Sequence, residues 1–592
     1  MTNQPRFYRA KLEKYTAELN SVSLKVKRFA WYRFFAFAGI FVPMFVFGFQ
    51  LISMAVSAFL VILFFFLIKK NIQLENQKKR CSILKKLAED EILALKHSFL
   101  HFHNGEEFLN TEHFFSYDLD LFGDGSLFQY LNRTVTVGGR QKLAGWLTKP
   151  SLEKNEIDLK QEAVHELSQI PDWRLQFLAN GKLFEETEAL SHEIKSWSEM
   201  ELELNRTGFV KWLIKIVPFI TLLAAVPSVM GITDFFLLLM VSVQFLLMYF
   251  FWKRINQYFS FFGRKSQLLS KYMELLNFVE DRGFKSGYLA NLKEKVTEPS
   301  AGKIISELKK IVNEFEYRQN ILVGILLNGF LVWDIRCVYK LWNWHHKHHK
   351  KLAVWLDVIA EIDALISLGN YANNHSGFTF PKIHDGEFIF GANDLGHPLL
   401  HEDKRVCNDM EINGWSKVMV VTGANMAGKS TFLRTVGVNL VLARLGAPVC
   451  AKQMRITPIV IYTNMRTTDS LLKDESYFFA ELKRIKGVLD RLQSGERIFV
   501  ILDEMLKGTN SVDKLNGSKE LIKKLVEFKS VALIATHDLK LSEMENEFPQ
   551  QVFNKCFEIR IENDELVFDY KLSEGATKTM NATFLMKKMG II

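Results

Sequence analysis

A glycine-rich segment in the last third of the chain has the residue types that bind nucleotide phosphates. It reads Gly423-Ala-Asn-Met-Ala-Gly428-Lys429-Ser430, between an apolar run at 418–421 and a helical pattern that begins at Thr431. In such a strand–loop–helix context the glycines let the backbone surround the phosphates, and N–H groups at the helix start point at them. The lysine reaches the β- and γ-phosphates and the serine hydroxyl coordinates Mg²⁺. The segment therefore predicts a site for ATP and Mg²⁺ at Gly423, Gly428, Lys429, Ser430 and Thr431.

Two later segments place acidic and histidine side chains directly after apolar runs. Asp503 and Glu504 follow the run 498–502, and His537 follows the run 531–535. Because phosphoryl transfer needs mainly positioning and charge compensation, we expect Asp503 to hold Mg²⁺ and Glu504 to polarise the attacking water. His537 is predicted to sense the γ-phosphate, and it completes a catalytic group with Glu504 and Lys429. The alternatives are an exposed acidic pair and a purely structural histidine.

The elements that must position these residues follow from a change of pattern near residue 376. Upstream, apolar residues recur at helical spacing with charged faces between them, which predicts a mainly α-helical region. Downstream, short β-type runs alternate with helical patterns, which predicts an α/β domain with a mostly parallel sheet. The expected strands lie at 388–390, 418–421, 459–462, 498–502 and 531–535.

The segment from 34 to 68 contains no charged residue. One straight helix of that length would measure about 52 Å, whereas the hydrocarbon core of a bilayer is roughly 30 Å thick. We therefore expect two membrane-spanning helices that turn near 43–50, with a buried soluble hairpin as the alternative. Lysine and arginine residues flank both ends, which places both ends in the cytoplasm. The flanking residues are Lys25, Lys27, Arg28, Arg33, Lys69 and Lys70.

A second apolar stretch, 216–252, is broken by Pro227, Gly231 and Asp234 and predicts a second membrane hairpin of the same topology. A third run, 321–333, is too short to span a bilayer and contains Asn328, so it predicts a buried soluble helix.

The composition agrees with a membrane protein that keeps its soluble part in the cytoplasm. A net charge of +9 suits an anionic partner, either nucleic acid or the inner membrane leaflet, although basic cytoplasmic loops alone would explain it. The five cysteines have no metal or redox spacing, and no cleavable signal peptide is apparent, so we expect reduced thiols. These features predict a multi-pass protein of the inner (cytoplasmic) membrane with a cytoplasmic ATPase domain.

Several segments resemble the MutS family of DNA mismatch-repair proteins. The phosphate loop contains the Asn425-Met426 pair typical of that family, with alanines at 424 and 427 in place of its usual proline and glycine. Segments 476–481, 503–509 and 396–400 are similar to the family's signature helix, acidic turn and preceding motif. Segments 118–136 and 146–150 are similar to the start of its helical core, so the resemblance covers roughly 100–205 and 310–592.

The resemblance implies a homodimer with ATP bound between two ATPase domains. Asn425 and Met426 would join the phosphate-binding residues, and Ser476 would reach the γ-phosphate bound to the other subunit. Asp513 would lie at the dimer interface. Asp474-Glu475 departs from the Gly-Arg often found before the signature helix, which puts the detail of the Ser476 contact in question.

The expected partners and pathway of the protein are implied only by this family resemblance. DNA is an expected partner, in a membrane-anchored branch that lacks the mismatch-recognition domain and whose second hairpin replaces the usual DNA clamp. Alternatives are a membrane scaffold that uses ATP as a switch and a transporter-like ATPase. The expected regions are 1–100 with the first hairpin, 101–209 and 255–375 for the helical core, 210–254 for the second hairpin, and 376–592 for the P-loop ATPase domain of ABC/MutS type.

A cluster of histidine, tryptophan and lysine, 342–351, leaves three interpretations open. His345 and His349 share a helix face and could bind a metal, or the basic and aromatic mixture could contact phosphates. The third interpretation is a solvated or membrane-facing stripe flanked by tryptophan anchors.

Overall fold

A computed structural model describes residues 3–199, 207–263, 265–424, 426–466, 477–562 and 565–577. The predicted site residues Asn425 and Ser476 lie outside the described residues. The helices are α1 (Asn3–Phe47), α2 (Leu51–Leu95), α3 (Leu127–Leu131), α4 (Val137–Thr148), α5 (Lys154–Ser168), α6 (Pro171–Lys182), α7 (Glu188–Glu199), α8 (Thr207–Val229), α9 (Phe235–Phe262), α10 (Ser266–Glu280), α11 (Gly287–Thr297), α12 (Ala301–Glu316), α13 (Ile321–Leu331), α14 (Trp333–Asn374), α15 (Lys429–Arg444), α16 (Tyr477–Gln493), α17 (Ser511–Glu527) and α18 (Met544–Glu547). The strands are β1 (Lys382–Ile383), β2 (Ile389–Leu395), β3 (Asn408–Asn413), β4 (Lys417–Gly423), β5 (Gln453–Ile456), β6 (Val460–Asn464), β7 (Ile498–Asp503), β8 (Val531–Thr536), β9 (Val552–Glu562) and β10 (Glu565–Glu574).

The C-terminal part is an α/β domain built on a six-stranded sheet of order β10-β9-β4-β8-β7-β6. All neighbouring pairs in it are parallel except β9 with β10, so the prediction of a mostly parallel sheet is confirmed. Its central strands β4 and β8 are mostly apolar and, apart from Lys417 at the start of β4, buried, as expected where helices cover both faces. A second, four-stranded sheet has the order β1-β5-β2-β3.

The region before the α/β domain is mainly helical, as predicted, and is organised around the 42-residue helix α14. The carboxylate of Asp363 on this helix is completely buried, and it accepts hydrogen bonds from the backbone of Val135 and Thr136 and from the Thr136 hydroxyl. Thr136 in turn caps the N-terminus of α4. These bonds fix the start of α4 against the C-terminal half of α14.

Within the described part of the chain, four helices are long and apolar enough to cross a membrane, judged by length and composition: α1, α2, α8 and α9. They form two hairpins, α1–α2 and α8–α9, and the first turns at 48–50, inside the predicted segment. Large apolar side chains at the tips are almost fully exposed, with Phe45 at 92% and Val229 at 87%. The opposite end of the first hairpin is tied to the helical core, because the Tyr8 hydroxyl donates to Asn370 on α14 over 3.2 Å.

The prediction that the third apolar run is buried is wrong. The run 321–333, expected to be a buried soluble helix, is the exposed helix α13, in which Ile321 and Leu322 are each 75% exposed. The short length of the run favours a soluble core helix, but α13 docks on the apolar hairpin α8–α9 and most of its side chains are exposed.

In the histidine cluster, for which the sequence left three interpretations open, one histidine is buried and several neighbouring residues are exposed. His345 is buried, and its Nε2 lies 2.9 Å from the carbonyl oxygen of Trp197, whose ring stacks on Trp344. Within the described residues, no group of three or more His, Cys, Asp or Glu side chains has an arrangement that could hold a metal ion.

Candidate nucleotide-binding and hydrolysis site

Three parallel strands bring the predicted site residues to one edge of the large sheet. β4 ends at Gly423, β7 at Asp503 and β8 at Thr536, one residue before His537. Their register aligns Asp503 with Ala535, and Thr422 with Thr536. Because parallel strands end at the same edge, residues far apart in sequence converge where ligands of open α/β sheets usually bind.

A cavity of about 620 Å³ lies at this edge. Its lining includes seven of the predicted residues: Met426, Gly428, Lys429, Ser430, Thr431, Asp503 and Glu504. The sequence did not single out other residues of the lining, among them Lys404, Asn408, Lys507 and Tyr570.

The loop that leads into α15 has the backbone expected for phosphate binding. Gly428, the residue before α15, has a φ of 101°, and Met426 has a φ of 70°. A Cβ added at Gly428 would lie 3.0 Å from the Tyr570 ring, so both conformation and space require glycine here. The start of α15 therefore presents its free N–H groups to the cavity.

Lys429 is held at the base of this loop. Its Nζ donates to the carbonyl oxygens of Gly423 (2.7 Å) and Ala424 (2.9 Å). Burial lowers the pKa of Lys429, while the nearby charges of Glu504 and Asp503 oppose that change. An ammonium group at this position can compensate phosphate charge, as the sequence predicts.

Glu504 is in direct contact with His537. His537 Nδ1 lies 2.9 Å from Glu504 Oε1, and Glu504 lines the cavity whereas His537 is not part of the lining. Partial burial disfavours the charged form of Glu504, but the bond and charge of His537, with Lys507 and Lys429, outweigh it and lower the pKa. The geometry thus places His537 where it orients the Glu504 carboxylate and keeps it ionised.

The turn that carries Glu504 is strained and is held by a residue of another helix. Glu504 and Leu506 both have a φ of 56°, a left-handed conformation that is unfavourable for such side chains. The carboxylate of Glu481 on α16 is buried and accepts hydrogen bonds from the backbone N–H groups of Leu506 (2.6 Å) and Lys507 (3.1 Å). Glu481 is therefore a positioning residue that links α16 to the Glu504 turn.

We predict that Glu481→Gln lowers kcat for ATP hydrolysis about tenfold, because hydrogen bonds to a charged acceptor are worth roughly 1.5 kcal/mol or more. KM for ATP should change little, since Glu481 does not line the cavity. Glu520→Gln is a matched control, because Glu520 is exposed on α17 and pairs only with Lys523 among the described residues. A rise in KM with unchanged kcat would show that Glu481 does not position the turn.

The site is joined to the helical region through Asp118. This carboxylate is completely buried and accepts hydrogen bonds from the Thr463 hydroxyl (2.7 Å), the Arg466 backbone N–H (3.0 Å) and Arg484 Nη2 (3.2 Å). Arg484 lies on α16, one turn after Glu481. Asp118 thus connects the helical region to the helix that holds the Glu504 turn.

The cavity residues fit the cofactors expected from the sequence. The Ser430 hydroxyl and the Asp503 carboxylate line one cavity and are the oxygen ligands that Mg²⁺ prefers. Lys404, Lys429 and Lys507 supply positive charge for phosphates. Tyr570, on β10, offers an exposed ring on which a purine base can stack.

Comparison with known families agrees with this geometry. Residues 419–587 match the sequence profile of MutS domain V, which is an ATPase domain of ABC type. The chain carries a MutS-type ATPase domain. Residues 110–223, which include Asp118, match the profile of MutS domain III. The helical region that holds Asp118 and the α/β domain that holds the cavity are thus both MutS-like.

Individual relatives show the same partial similarity. The chain is 32% identical over 251 residues to the DNA mismatch repair protein MutS of Thermotoga petrophila. The aligned region covers 41% of this chain and 31% of that relative. It is 31% identical over 245 residues to MutS of Ehrlichia chaffeensis, and this alignment covers 40% of this chain and 30% of that relative. It is also 32% identical over 237 residues to MutS of Persephonella marina, and this alignment covers 39% of this chain and 27% of that relative. The chain therefore matches about a third of the length of these relatives.

Proposed function

We propose that this chain is a membrane-anchored MutS-like ATPase that binds and hydrolyses ATP as a homodimer and couples the cycle to DNA. The observation that carries the proposal is the combination of a MutS-type ATPase cavity with two apolar hairpins in one chain. ATP and Mg²⁺ bind in the cavity, with Lys429 and Ser430 on the phosphates and metal, and Glu504 on the attacking water. The ATPase domain faces the cytoplasm.

The exposed side chains of the hairpins support a bilayer as their surroundings. On α8 and α9, aromatic and aliphatic residues such as Phe219, Leu222, Leu246 and Phe250 are more than half exposed. A contiguous apolar surface of this size is unfavourable in water and favourable in lipid. The helices have 23 and 28 residues, enough to cross a hydrocarbon core of roughly 30 Å.

Dimerisation is supported by exposed apolar residues in the phosphate loop and near the starts of α16 and α17. Met426 in the phosphate loop is 80% exposed, Phe479 on α16 is 57% exposed, and Val512 on α17 is 66% exposed. Asp513, which the resemblance assigns to the interface, lies in the first turn of α17 and accepts a hydrogen bond from Asn510. A second ATPase domain packed on this face would cover these residues and close the cavity.

Buried polar contacts link the ATPase domain to the helical region, and link that region to the first hairpin. Asp118 joins the site to the helical region, and Arg133 in that region is paired with Glu91 on α2 at 2.5 Å. Both Arg133 and Glu91 are buried, so separating them would leave uncompensated buried charges. ATP-driven motion of α16 would reach the first hairpin through these contacts.

We expect both hairpins to have their ends in the cytoplasm. Protease added to spheroplasts should leave the N-terminal region, residues 101–199 and the ATPase domain uncut, because none would be outside. Immunoblots against tags at these three positions measure protection, with detergent-lysed spheroplasts as the cleavage control. Cleavage within 101–199 from outside would contradict the two-hairpin topology.

ATP hydrolysis by the purified protein should rise when DNA is added, if the cycle is coupled to DNA. Steady-state rates with duplex, mismatched, branched and no DNA test this directly, and the preferred structure identifies the substrate class. An ATP-switched scaffold or a transporter-like ATPase would show the same rate in all four. Glu504→Gln serves as the background control for contaminating ATPases.

A further inference from the structure

The short helix α13 is apolar on every side and exposed, although it is too short to cross a bilayer. Its sequence, Ile-Leu-Val-Gly-Ile-Leu-Leu-Asn-Gly-Phe-Leu, contains one polar residue, Asn328, which is buried. Ile321 and Leu322 are each 75% exposed and Leu326 is 61% exposed. A helix of this composition has no side that favours contact with water.

α13 lies along the second hairpin. Just before it, Arg318 Nη2 donates to Asn256 Oδ1 near the charged end of α9, over 3.3 Å. Just after it, the backbone N–H of Val332 donates to Gln244 Oε1 over 3.0 Å. These two contacts are twelve positions apart on α9, which corresponds to about 18 Å. Since Gln244 is midway along the apolar stretch 235–252, the end of α13 lies level with the middle of that stretch.

The chain then bends by about a right angle, and two backbone N–H groups at the bend donate to side chains. α13 and α14 meet at 81°, at Val332, which has a φ of 42°. Gln244 accepts the Val332 N–H, and Asn328 Oδ1 accepts the Asp334 N–H over 2.9 Å. Gln244 Nε2 also donates to the Thr221 hydroxyl of α8 over 2.6 Å, which fixes the amide in place. A broken helix within hydrocarbon requires this kind of internal pairing, because no water is available.

The helix after α13 packs against the helix before it, so the chain leaves α13 on the side from which it entered. α12 and α14 pack against each other, with Trp333 Nε1 donating to the Glu314 carbonyl over 2.8 Å. Arg318, just before α13, pairs at 3.3 Å with Asp334, two residues after the bend at Val332, and its guanidinium lies 4.9 Å from the Phe259 ring centroid. These contacts hold the first residues of α14 against the residues that come just before α13.

From these contacts we propose that α13 is a re-entrant helix that inserts into the cytoplasmic half of the bilayer and contacts lipid acyl chains. The inference rests on the proposed membrane anchoring by α8–α9, whose exposed apolar surface α13 continues. It gives the helical core a lipid contact next to α14, the long helix that runs back to the ATPase side. The other possible occupants of this surface, a second copy of the chain or another protein, are distinguished by the following test.

The test places a fluorophore on α13 in the full-length protein reconstituted into phosphatidylcholine–phosphatidylglycerol vesicles. Leu326→Cys and, separately, Leu322→Cys are labelled with NBD in a Cys407→Ser background, since the other four native cysteines are buried. Quenching is measured with lipids that carry a spin label on the acyl chain, and with aqueous iodide. Leu246→Cys on α9 is the hairpin control, and Lys310→Cys, exposed on α12, is the aqueous control.

We expect spin-labelled lipid to quench Leu326→Cys and Leu322→Cys as strongly as Leu246→Cys, while only iodide quenches Lys310→Cys. If Leu246→Cys is quenched by lipid and both α13 positions are quenched by iodide, the re-entrant helix is wrong and the anchoring stands. If both α13 positions resist both quenchers, protein covers α13 and the lipid contact is also wrong. If Leu246→Cys is not quenched by lipid, the anchoring itself fails.

Discussion

Replacing Glu504 with glutamine should reduce ATP hydrolysis by about 100-fold or more, the usual contribution of a positioned acid–base group. ATP binding should remain close to that of the wild type. The amide keeps the shape of the side chain and its contact with His537, but it loses the charge that polarises the attacking water. The lowered pKa of Glu504 means that the wild-type carboxylate is ionised at neutral pH. Single-turnover hydrolysis and equilibrium binding of a fluorescent ATP analogue measure the two effects separately.

Lys429→Ala provides the contrast for this prediction. It removes the charge that lies at the phosphate loop and should weaken ATP binding itself, so both binding and turnover should fall. Thermal unfolding of each variant without nucleotide checks that the fold is kept. Wild-type turnover in Glu504→Gln would remove Glu504 from the mechanism.

Two inactive variants should restore activity to each other when they are mixed. We propose, from the resemblance to the MutS family, that Ser476 of one subunit acts on ATP bound by the other, so Ser476→Arg and Lys429→Ala should each be inactive alone. A mixed dimer has one site with an intact phosphate loop and an intact Ser476. Random pairing makes half of the dimers mixed, each with one complete site of two, so roughly a quarter of the wild-type rate should return.

The complementation test depends on proof that mixed dimers formed. Different affinity tags on the two variants, exchange in detergent and sequential purification isolate them. Ser476→Ala paired with Lys429→Ala is a milder version that avoids a bulky charge. No recovery in verified mixed dimers, together with wild-type hydrolysis by Ser476→Arg alone, would show that the sites are not shared.

The sheet and the site residues at its edge could be predicted because both depend on local sequence. The strands containing 418–421, 498–502 and 531–535 are continuous apolar runs, which parallel strands covered on both faces require. The phosphate loop and the Asp503-Glu504 pair follow two of them directly. Because these strands are parallel neighbours, the residues that follow them meet at one edge of the sheet. The positions of Lys429, Asp503 and Glu504 in the site could therefore be predicted from the sequence.

Other features could not be predicted because they depend on contacts between distant segments. Tyr570 reaches the cavity from β10, next to a register irregularity, and nothing in the local sequence distinguishes it. The Glu481 contact with the Glu504 turn requires knowledge of where α16 packs. α13 was misinterpreted because run length alone cannot distinguish a soluble core helix from one docked on an apolar hairpin.

The most direct test of the central claim, a MutS-type ATPase anchored in the membrane, is ATP hydrolysis by carbonate-washed membranes. Membranes from cells expressing the wild-type chain or Glu504→Gln are washed at alkaline pH, floated on a density gradient and assayed with ATP and Mg²⁺. We predict that both proteins float with the lipid and that only wild-type membranes hydrolyse ATP above the background of cells without the chain. Release of the protein by carbonate, or equal hydrolysis in the two membrane preparations, would contradict the account.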